Sequence, residues 1–441
     1  MKKTSTLVLN HIFWRGLYFF SVLLLNICIA RFFAAEKSGQ IFFIVNNLAL
    51  VLLIASLSLE SGSTYYIASG DLASSQMAAF CLIWSAAAAL IAFTVWMSVL
   101  YYSNTSFLTG TGFLLASFLF ILGVLLTTFF TALFYSEKKF AVPNKVLFFV
   151  NLFLILLLII GKKHPFVKSH FVQIYFFGFF LQGLLIMLAF FVNDPTSGRL
   201  LLPSKPLLKK VFQYSLAALT ANLIYFLVNR IDYWFVQYYC SAKDLGNYIQ
   251  ASKLAQMLFI LPGILGATLF PIFSASKKSG NTAELTAVIR ILFWSNGVIC
   301  FLILSVGWYI IPLAFGASFN NMYLLFILLI PGILCVTMNY PMTSWFSANK
   351  RIGINIRGSL LALGIICIGD IIALPRYGVR AASIVSSAGF FSYYCYTIYI
   401  YRKEYSVSWK DFLLIRKSDL KQIRQSVGKD IQEPSPENYI V

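Results

Sequence analysis

Three charged residues stand inside runs that are otherwise apolar: Arg230, Asp232 and Lys253. They belong to the stretch from Gln213 to Ser276, in which two long apolar runs are joined at Ala242-Lys243-Asp244-Leu245-Gly246-Asn247. A guanidinium or ammonium holds an anion by charge-assisted hydrogen bonds. A carboxylate takes up a proton or a cation. At the centre of a bilayer each such group costs about 2.5–3.5 kcal/mol, so three of them in two helices are not expected to face lipid. Arg230 and Asp232 are about 200° apart around a helix and cannot pair as residues four apart do. With the turn near Lys243 to Gly246 the three fall at similar depth. Asp232 can then pair with Lys253 across the hairpin, leaving Arg230 to face a water-filled cavity. The alternative is that Arg230 snorkels to the outer interface, with Asp232 and Lys253 as a structural pair.

Two further acids are candidates for binding a coupling proton or sodium ion. Glu60 lies in Leu59-Glu60-Ser61-Gly62 near the inner end of the second apolar run, and Asp370 near the outer end of the eleventh. The plain alternative for each is solvation close to an interface. His11, His164 and His170 form no cluster at metal-ligand spacing, and the seven cysteines show no CxxC. No GxxxxGK[ST] stretch is present, so ATP hydrolysis has no site. No metal, no cofactor and no catalytic residue is implied.

The elements that must position these residues follow from composition. Hydrophobic residues make up 59% of the 441 and charged ones 11%, with repeated apolar runs of about 20 residues, the length that crosses a hydrocarbon core of about 30 Å. A β-barrel would alternate over roughly ten residues instead. The chain is therefore expected to be an all-α polytopic membrane protein with about 12 spans, near 12–34, 41–68, 77–101, 113–135, 143–161, 170–193, 211–239, 246–273, 286–311, 319–345, 353–374 and 379–401. The first run is too long for a cleaved signal peptide and is expected to stay as an anchor. If the N-terminus is inside, twenty-four Lys and Arg fall on the cytoplasmic side and eight on the other, which places both termini in the cytoplasm. The net charge of +19 then reflects topology and anionic lipid, not nucleic acid. Pro262, Pro271, Pro331 and Pro341 each remove a helix hydrogen bond and are expected to bend or open their helices.

Internal repetition divides the chain. A shift of 207 residues lays Ala35-Glu36-Lys37-Ser38-Gly39-Gln40 on Ala242–Asn247, and one of 212 lays Phe134, Lys138, Lys139 and Lys145 on Phe346, Lys350, Arg351 and Arg357. Two six-helix bundles, 1–200 and 201–402, are expected around a central cavity, followed by a basic tail, 403–441. An even number of spans per unit relates them by an axis along the membrane normal. In the first half the shift leads from Lys253 to Asn46, so any cationic site is built mainly from the second half. The tail carries Trp409, Phe412, Leu413, Leu420 and Ile423 among basic residues, the pattern of a helix lying on the inner leaflet; the alternatives are a partner-docking segment and, more simply, a solvated membrane-proximal tail. Its last dozen residues have the composition of a disordered segment.

These features resemble the polysaccharide flippases of the multidrug, oligosaccharidyl-lipid and polysaccharide exporter superfamily, over roughly residues 10–400. Glu60-x-Gly62 is similar to the acidic-x-Gly that ends the family's second helix. Asn229-Arg230-x-Asp232, then Gly246-Asn247-Tyr248-x-x-Ala251-x-Lys253-Leu254, is similar to its Asp, Gly-x-Tyr, Ala-x-Lys-Leu hairpin. Pro271 with Ser274-Ala275-Ser276 resembles the close of that hairpin, and Leu374-Pro375-x-Tyr377-Gly378-Val379-x-Ala381-Ala382 the turn before the last helix. Arg380 departs from the small residue usual there. The resemblance implies a non-enzymatic flippase in the bacterial cytoplasmic membrane. Its implied substrate is an oligosaccharide on undecaprenyl pyrophosphate, bound by Arg230, Lys253, Asn229 and Asn46, with Asp232, Glu60 and Asp370 for ion coupling. The implied partners are membrane lipids and polysaccharide polymerase machinery around a monomer. A multidrug exporter of organic cations from the same superfamily is the alternative; its cavity would carry unpaired acids.

Overall fold

The computed structural model describes residues 2–102, 111–162, 164–193, 202–263, 265–266, 282–349, 351–405, 407–408 and 410–414. Among them the chain is helical, with no strand. The first half contributes α1 (Lys2–Ser56), α2 (Leu59–Ala68), α3 (Ser74–Tyr102), α4 (Thr111–Ser136), α5 (Ala141–Gly161) and α6 (Pro165–Asn193). Then follow α7 (Lys205–Arg230), α8 (Asp232–Tyr239), α9 (Ala242–Met257), α10 (Thr282–Phe315), a 3₁₀ turn (Ala317–Phe319), α11 (Met322–Ala348), α12 (Ile352–Tyr377), α13 (Val379–Tyr405) and α14 (Lys410–Leu413). Among the described residues nine helices are long and apolar enough to cross a membrane. The first of these, Phe13–Ser56, contains a non-helical residue at Ala34 (φ 58, ψ 178), where the sequence separates its first two spans. The expected eighth span, 246–273, lies partly outside the described residues, and Pro271 with it.

Large apolar side chains point outward along these helices, for example Ile160 (67% exposed) and Trp308 (64%). In water such a surface would aggregate; it suits hydrocarbon. The interior is close-packed. α4 and α6 approach so closely that a β-carbon on Gly183 would overlap the carbonyl of Gly123. α11 runs unbroken through Pro331 and Pro341. Ahead of Pro262 the helix is interrupted at Leu258 and Phe259, whose amides turn to carbonyls three residues back. That is the local opening expected of proline.

The chain forms two compact units, one of Met1–Ala34 and Ile41–Phe226, the other of Ala35–Gln40 and Leu227–Val441. In the first, α4 packs on α2, α3 and α6, and α6 on α5. In the second, α11 packs on α9, α10 and α13, and α13 on α12. The second unit thus takes in Ala35–Gln40, and the structure shows why. A β-carbon on Gly39 would lie 2.7 Å from the Cα of Gly246 and 3.2 Å from the carbonyl oxygen of Ala242, while one on Gly246 would overlap the carbonyl of Ala35. The repeat-related segments therefore cross backbone to backbone, each glycine against the first residue of the other segment. Ser318 completes the seam: its hydroxyl accepts from the Ala35 amide at 3.0 Å and its carbonyl from Asn247 Nδ2 at 3.2 Å. Asn247 Oδ1 in turn accepts from the Asn321 amide at 3.1 Å.

The tail corrects one expectation. Phe412 is fully buried in the second unit, with Tyr401, Trp345, Ile289 and Leu292, and does not face lipid. Arg290, 2% exposed, donates to the carbonyl of Asp411, and Arg402 Nε donates to the carbonyl of Val407 at 2.9 Å. The basic amphipathic pattern conceals an aromatic plug: the backbone carbonyls satisfy buried arginines, so the segment docks on protein. Residues 415–441 lie outside the described part.

Two outcomes follow. Replacing Gly246 by Val forces a side chain into the Ala35 carbonyl and should abolish accumulation of folded protein, read as loss of the monodisperse peak in detergent. Phe412→Ala should lower stability by about 3–5 kcal/mol, read as a fall in Tm, whereas Phe412→Leu should cost much less.

Candidate functional site

The joint between α7 and α8 falls at Ile231, so Asp232 opens a new helix whose first turn carries the carboxylate. The following turn is not at Ala242–Asn247, as the sequence suggests, but at Cys240 and Ser241. Ser241 is an N-cap: its hydroxyl accepts from the Asp244 amide at 3.1 Å, so Ala242 already begins α9. This register carries Tyr248 and Ser252 back to the level of Asp232 and Tyr233.

Asp232 is 3% exposed. It accepts hydrogen bonds from the hydroxyl of Tyr248 and, at 2.9 Å, from that of Ser386 on α13. Tyr233 donates to Ser252 at 3.0 Å, and Gln256 bridges Ser252 (3.2 Å) and the carbonyl of Asn229 (3.4 Å). Asn229, Asp232, Tyr248, Ser252, Gln256 and Ser386 line a cavity closed by Phe259, Leu329, Ile333 and Phe390. It leaves about 10 Å³ for the centre of a water-sized group, room for one water or small ion and far too little for a sugar.

Asp370 is fully buried on α12, and neither of its carboxylate oxygens has a hydrogen-bond partner among the described residues. Asp232 Oδ1 and the hydroxyl of buried Ser383 are also unmet. Gly369 lies against Val385 and Gly389 against Ile366, so Asp370 and Ser383 occupy one level of the α12–α13 pair. Asp232 and Asp370 are within electrostatic reach of each other. Two buried carboxylates with unmet oxygens and no ion pair form an arrangement that a proton or cation stabilises strongly.

The expected pairing of Asp232 with Lys253 is not formed. Tyr248 and Ser386 already occupy the carboxylate; hydroxyls from two other helices reach it. Arg230 and Lys253, both half-buried, instead lie within electrostatic reach of each other. The structure sets Asn229 with Asp232 at the small cavity and places neither Arg230 nor Lys253 in its lining. Asn46, 1% exposed, and Glu60 belong to the first unit. Glu60 follows a break the sequence does not announce: Leu57 (φ 51) and Ser58 (φ 52) are left-handed, and α2 restarts at Leu59. Such residues cost about 1–3 kcal/mol each. The break is held by Trp84 donating to the carbonyl of Ala55 (3.2 Å), Ser56 accepting from the Ser58 amide (3.1 Å) and Asn222 donating to the Ser58 hydroxyl (3.1 Å). Glu60 Oε2 has no partner among the described residues. Sequence reasoning missed the roles of Tyr248, Ser386, Ser383 and Gln256; only Tyr248 carried a signal, as the tyrosine of Gly-x-Tyr.

Among the described residues the long apolar helices are those of a multi-pass membrane protein, and comparison with known proteins agrees. Residues 175–324 match the family model described as polysaccharide biosynthesis protein. Among curated proteins no sequence matches. Among solved structures, an inward-facing multidrug resistance MATE family transporter of the MOP superfamily superposes with a TM-score of 0.66 at 14% identity, over 89% of this chain and 94% of that one. The lipid II flippase MurJ in an inward closed conformation gives 0.62 at 13% identity, over 96% of each chain. The Vibrio cholerae MATE transporter VcmN in its bent form gives 0.57 at 11% identity, over 94% of this chain and all of that one. As the resemblance read from the sequence implied, the chain shares the fold of the MATE and MurJ structures, and residues 175–324 are similar to polysaccharide biosynthesis proteins.

Tyr248→Phe removes one of the two donors to Asp232 and should cost about 1–3 kcal/mol of stability, seen as a lower Tm of the purified protein. On an Asp232→Asn background the same change should cost less. Equal costs in both backgrounds would mean that the bond to the carboxylate contributes nothing.

Proposed function

We propose that this protein is a flippase that moves oligosaccharide repeat units linked to undecaprenyl pyrophosphate from the cytoplasmic to the outer leaflet of the bacterial cytoplasmic membrane. It does so by alternating access, without chemical change to the substrate. The observation that carries the reading is a pair of half-buried cations, Arg230 and Lys253, within electrostatic reach of each other inside the segment that matches polysaccharide biosynthesis proteins. Two like charges in a low-dielectric setting repel, and a dense anion between them turns that cost into attraction. Asn229, which lines the ion-sized cavity with Asp232, serves the coupling ion and not the sugar. The lipid tail stays in the bilayer while the head group crosses.

The transport cycle is coupled to a cation, proton or sodium, bound at Asp232 and Asp370 in the second unit. The ion-sized cavity and the three unmet carboxylate oxygens support this assignment. Glu60, at the α1–α2 break, is the second candidate. Both termini lie in the cytoplasm, and the protein works as a monomer beside the polymerase machinery that consumes its product. The second reading, export of organic cations, draws on the same buried acids, which would then hold the drug.

Complementation separates the two readings. In a strain lacking the flippase of its surface-glycan pathway, the wild-type chain should restore surface glycan. Arg230→Ala and Lys253→Ala, present in equal amount in the membrane, should each lose about tenfold or more. Wild type that restores nothing but confers resistance to cationic dyes would establish the exporter reading instead. Asp370→Asn, which keeps shape and removes charge, should abolish dependence of transport on the sodium or proton gradient; an unchanged dependence would exclude Asp370 as the coupling site.

A further inference from the structure

Within the first unit, cation and aromatic side chains meet where α1, α4 and α5 come together. The guanidinium of Arg15 lies over two rings, Phe19 at 5.7 Å and Tyr135 at 5.9 Å from their centroids. The ammonium of Lys145 lies over Trp14 at 5.0 Å. Trp14, the neighbour of Arg15 in sequence, also meets Phe148 and Phe149 of α5, each at 6.2 Å. The frame is anchored from beneath. Tyr135 and the buried Asn144 share hydrogen bonds of 3.0 and 3.2 Å, and Asn144 Nδ2 also donates to the carbonyl of Phe140 at 2.7 Å.

Among the described residues neither Arg15 nor Lys145 has a carboxylate within ion-pair distance or donates a hydrogen bond to the protein. The nearest acid in sequence, Glu137, is occupied by Lys139 at 2.8 Å and by Ser74. A snorkelling arginine extends its whole head into water. Arg15 is instead half-buried with aromatic rings against its guanidinium. Ring contacts satisfy the charge through the quadrupole but leave the in-plane N–H donors unspent, and those donors match phosphate geometry. Basic pockets between transmembrane helices on the cytoplasmic side are where lipid phosphate is held, and the distribution of Lys and Arg puts this end of the unit there.

From this geometry we infer that Arg15 and Lys145, set on the Trp14–Phe19–Tyr135 frame, form a binding site for the phosphate of a lipid. The inference rests on the chain spanning a membrane and not on the substrate proposed above. A phosphate at this place belongs either to an anionic phospholipid of the bilayer or to the pyrophosphate of a lipid carrier. In both cases the head group is gripped by two cations on neighbouring helices and the chain lies along apolar α5, where Phe153, Leu156 and Ile160 are exposed.

The test is lipid titration of the full-length protein in neutral detergent, read by native mass spectrometry and by Tm. The probes are phosphatidylglycerol, undecaprenyl pyrophosphate and phosphatidylcholine. Wild type should bind one or both phosphate lipids without a zwitterionic equivalent, and bound lipid should raise Tm. Arg15→Gln with Lys145→Gln should weaken that binding by about tenfold or more. Lys209→Gln with Lys210→Gln, an equal loss of charge on exposed α7, should change it by less than about twofold. Arg15→Lys, which keeps charge and loses the planar fork, should fall between and guards against misfolding of the double variant. Preference for phosphatidylglycerol identifies a structural bilayer lipid, and preference for undecaprenyl pyrophosphate a first capture point for carrier. Equal weakening in the α7 control, or equal binding of phosphatidylcholine, overturns the inference.

Discussion

A carboxylate buried among apolar helices is the constraint on which the second unit depends. Asp232 has no ion pair among the described residues, so its position is tolerable only where hydroxyls reach it, and those come from Tyr248, 16 residues on, and Ser386, 154 residues on. Helix α9 must therefore return at a register that sets Tyr248 opposite Asp232, and Ser241 as N-cap fixes that register. Helix α13 must present Ser386 to the same point. What remains is a cavity the size of one small ion, with Asp370 and its two unmet oxygens in electrostatic reach. The same rule operates in the first unit. The break at Leu57 and Ser58 exposes backbone groups where water is scarce; Trp84 and Ser56 take them up, and Asn222 holds the Ser58 hydroxyl.

The two halves of the chain share a scaffold and differ in chemistry. Gly39 and Gly246, related by the 207-residue shift, each lie against the other's segment. Away from that seam the equivalence fails at the charged positions, where Asn46 stands for Lys253. The cations and the acids of the second unit have no counterparts at the matching positions of the first, which has Glu60 and the Arg15–Lys145 frame instead.

Much of the fold was legible because its signals are local. Apolar length marked the spans, and Ala34 breaks α1 where the first two were separated. Gly378, with φ 62, turns the chain into the last helix where the Pro375-x-Tyr377-Gly378 pattern placed a turn. Charge in an apolar run likewise marked Arg230, Asp232 and Lys253 without help from the fold. Their partners were not legible, because pairing depends on helix register. Charge alone favoured Asp232 with Lys253, yet two hydroxyls take the Oδ2 of the carboxylate. The break before Glu60 was invisible because Ala55-Ser56-Leu57-Ser58 holds neither glycine nor proline; tertiary hydrogen bonds stabilise it. Phe412 read as a lipid-facing residue because composition does not distinguish a lipid surface from an apolar socket on the same protein.

The central claim, movement of a lipid-linked oligosaccharide, is tested most directly by reconstitution. The purified protein is placed in liposomes loaded with undecaprenyl-pyrophosphate oligosaccharide, a sodium or proton gradient is imposed, and the fraction of glycan reaching the opposite leaflet is followed with a membrane-impermeant glycosidase. The account predicts gradient-dependent translocation by the wild type, loss with Arg230→Ala, and no translocation of a neutral lipid-linked sugar that lacks the pyrophosphate. Glycan that stays on its original leaflet with active protein present, or that moves equally well without the pyrophosphate, would contradict it.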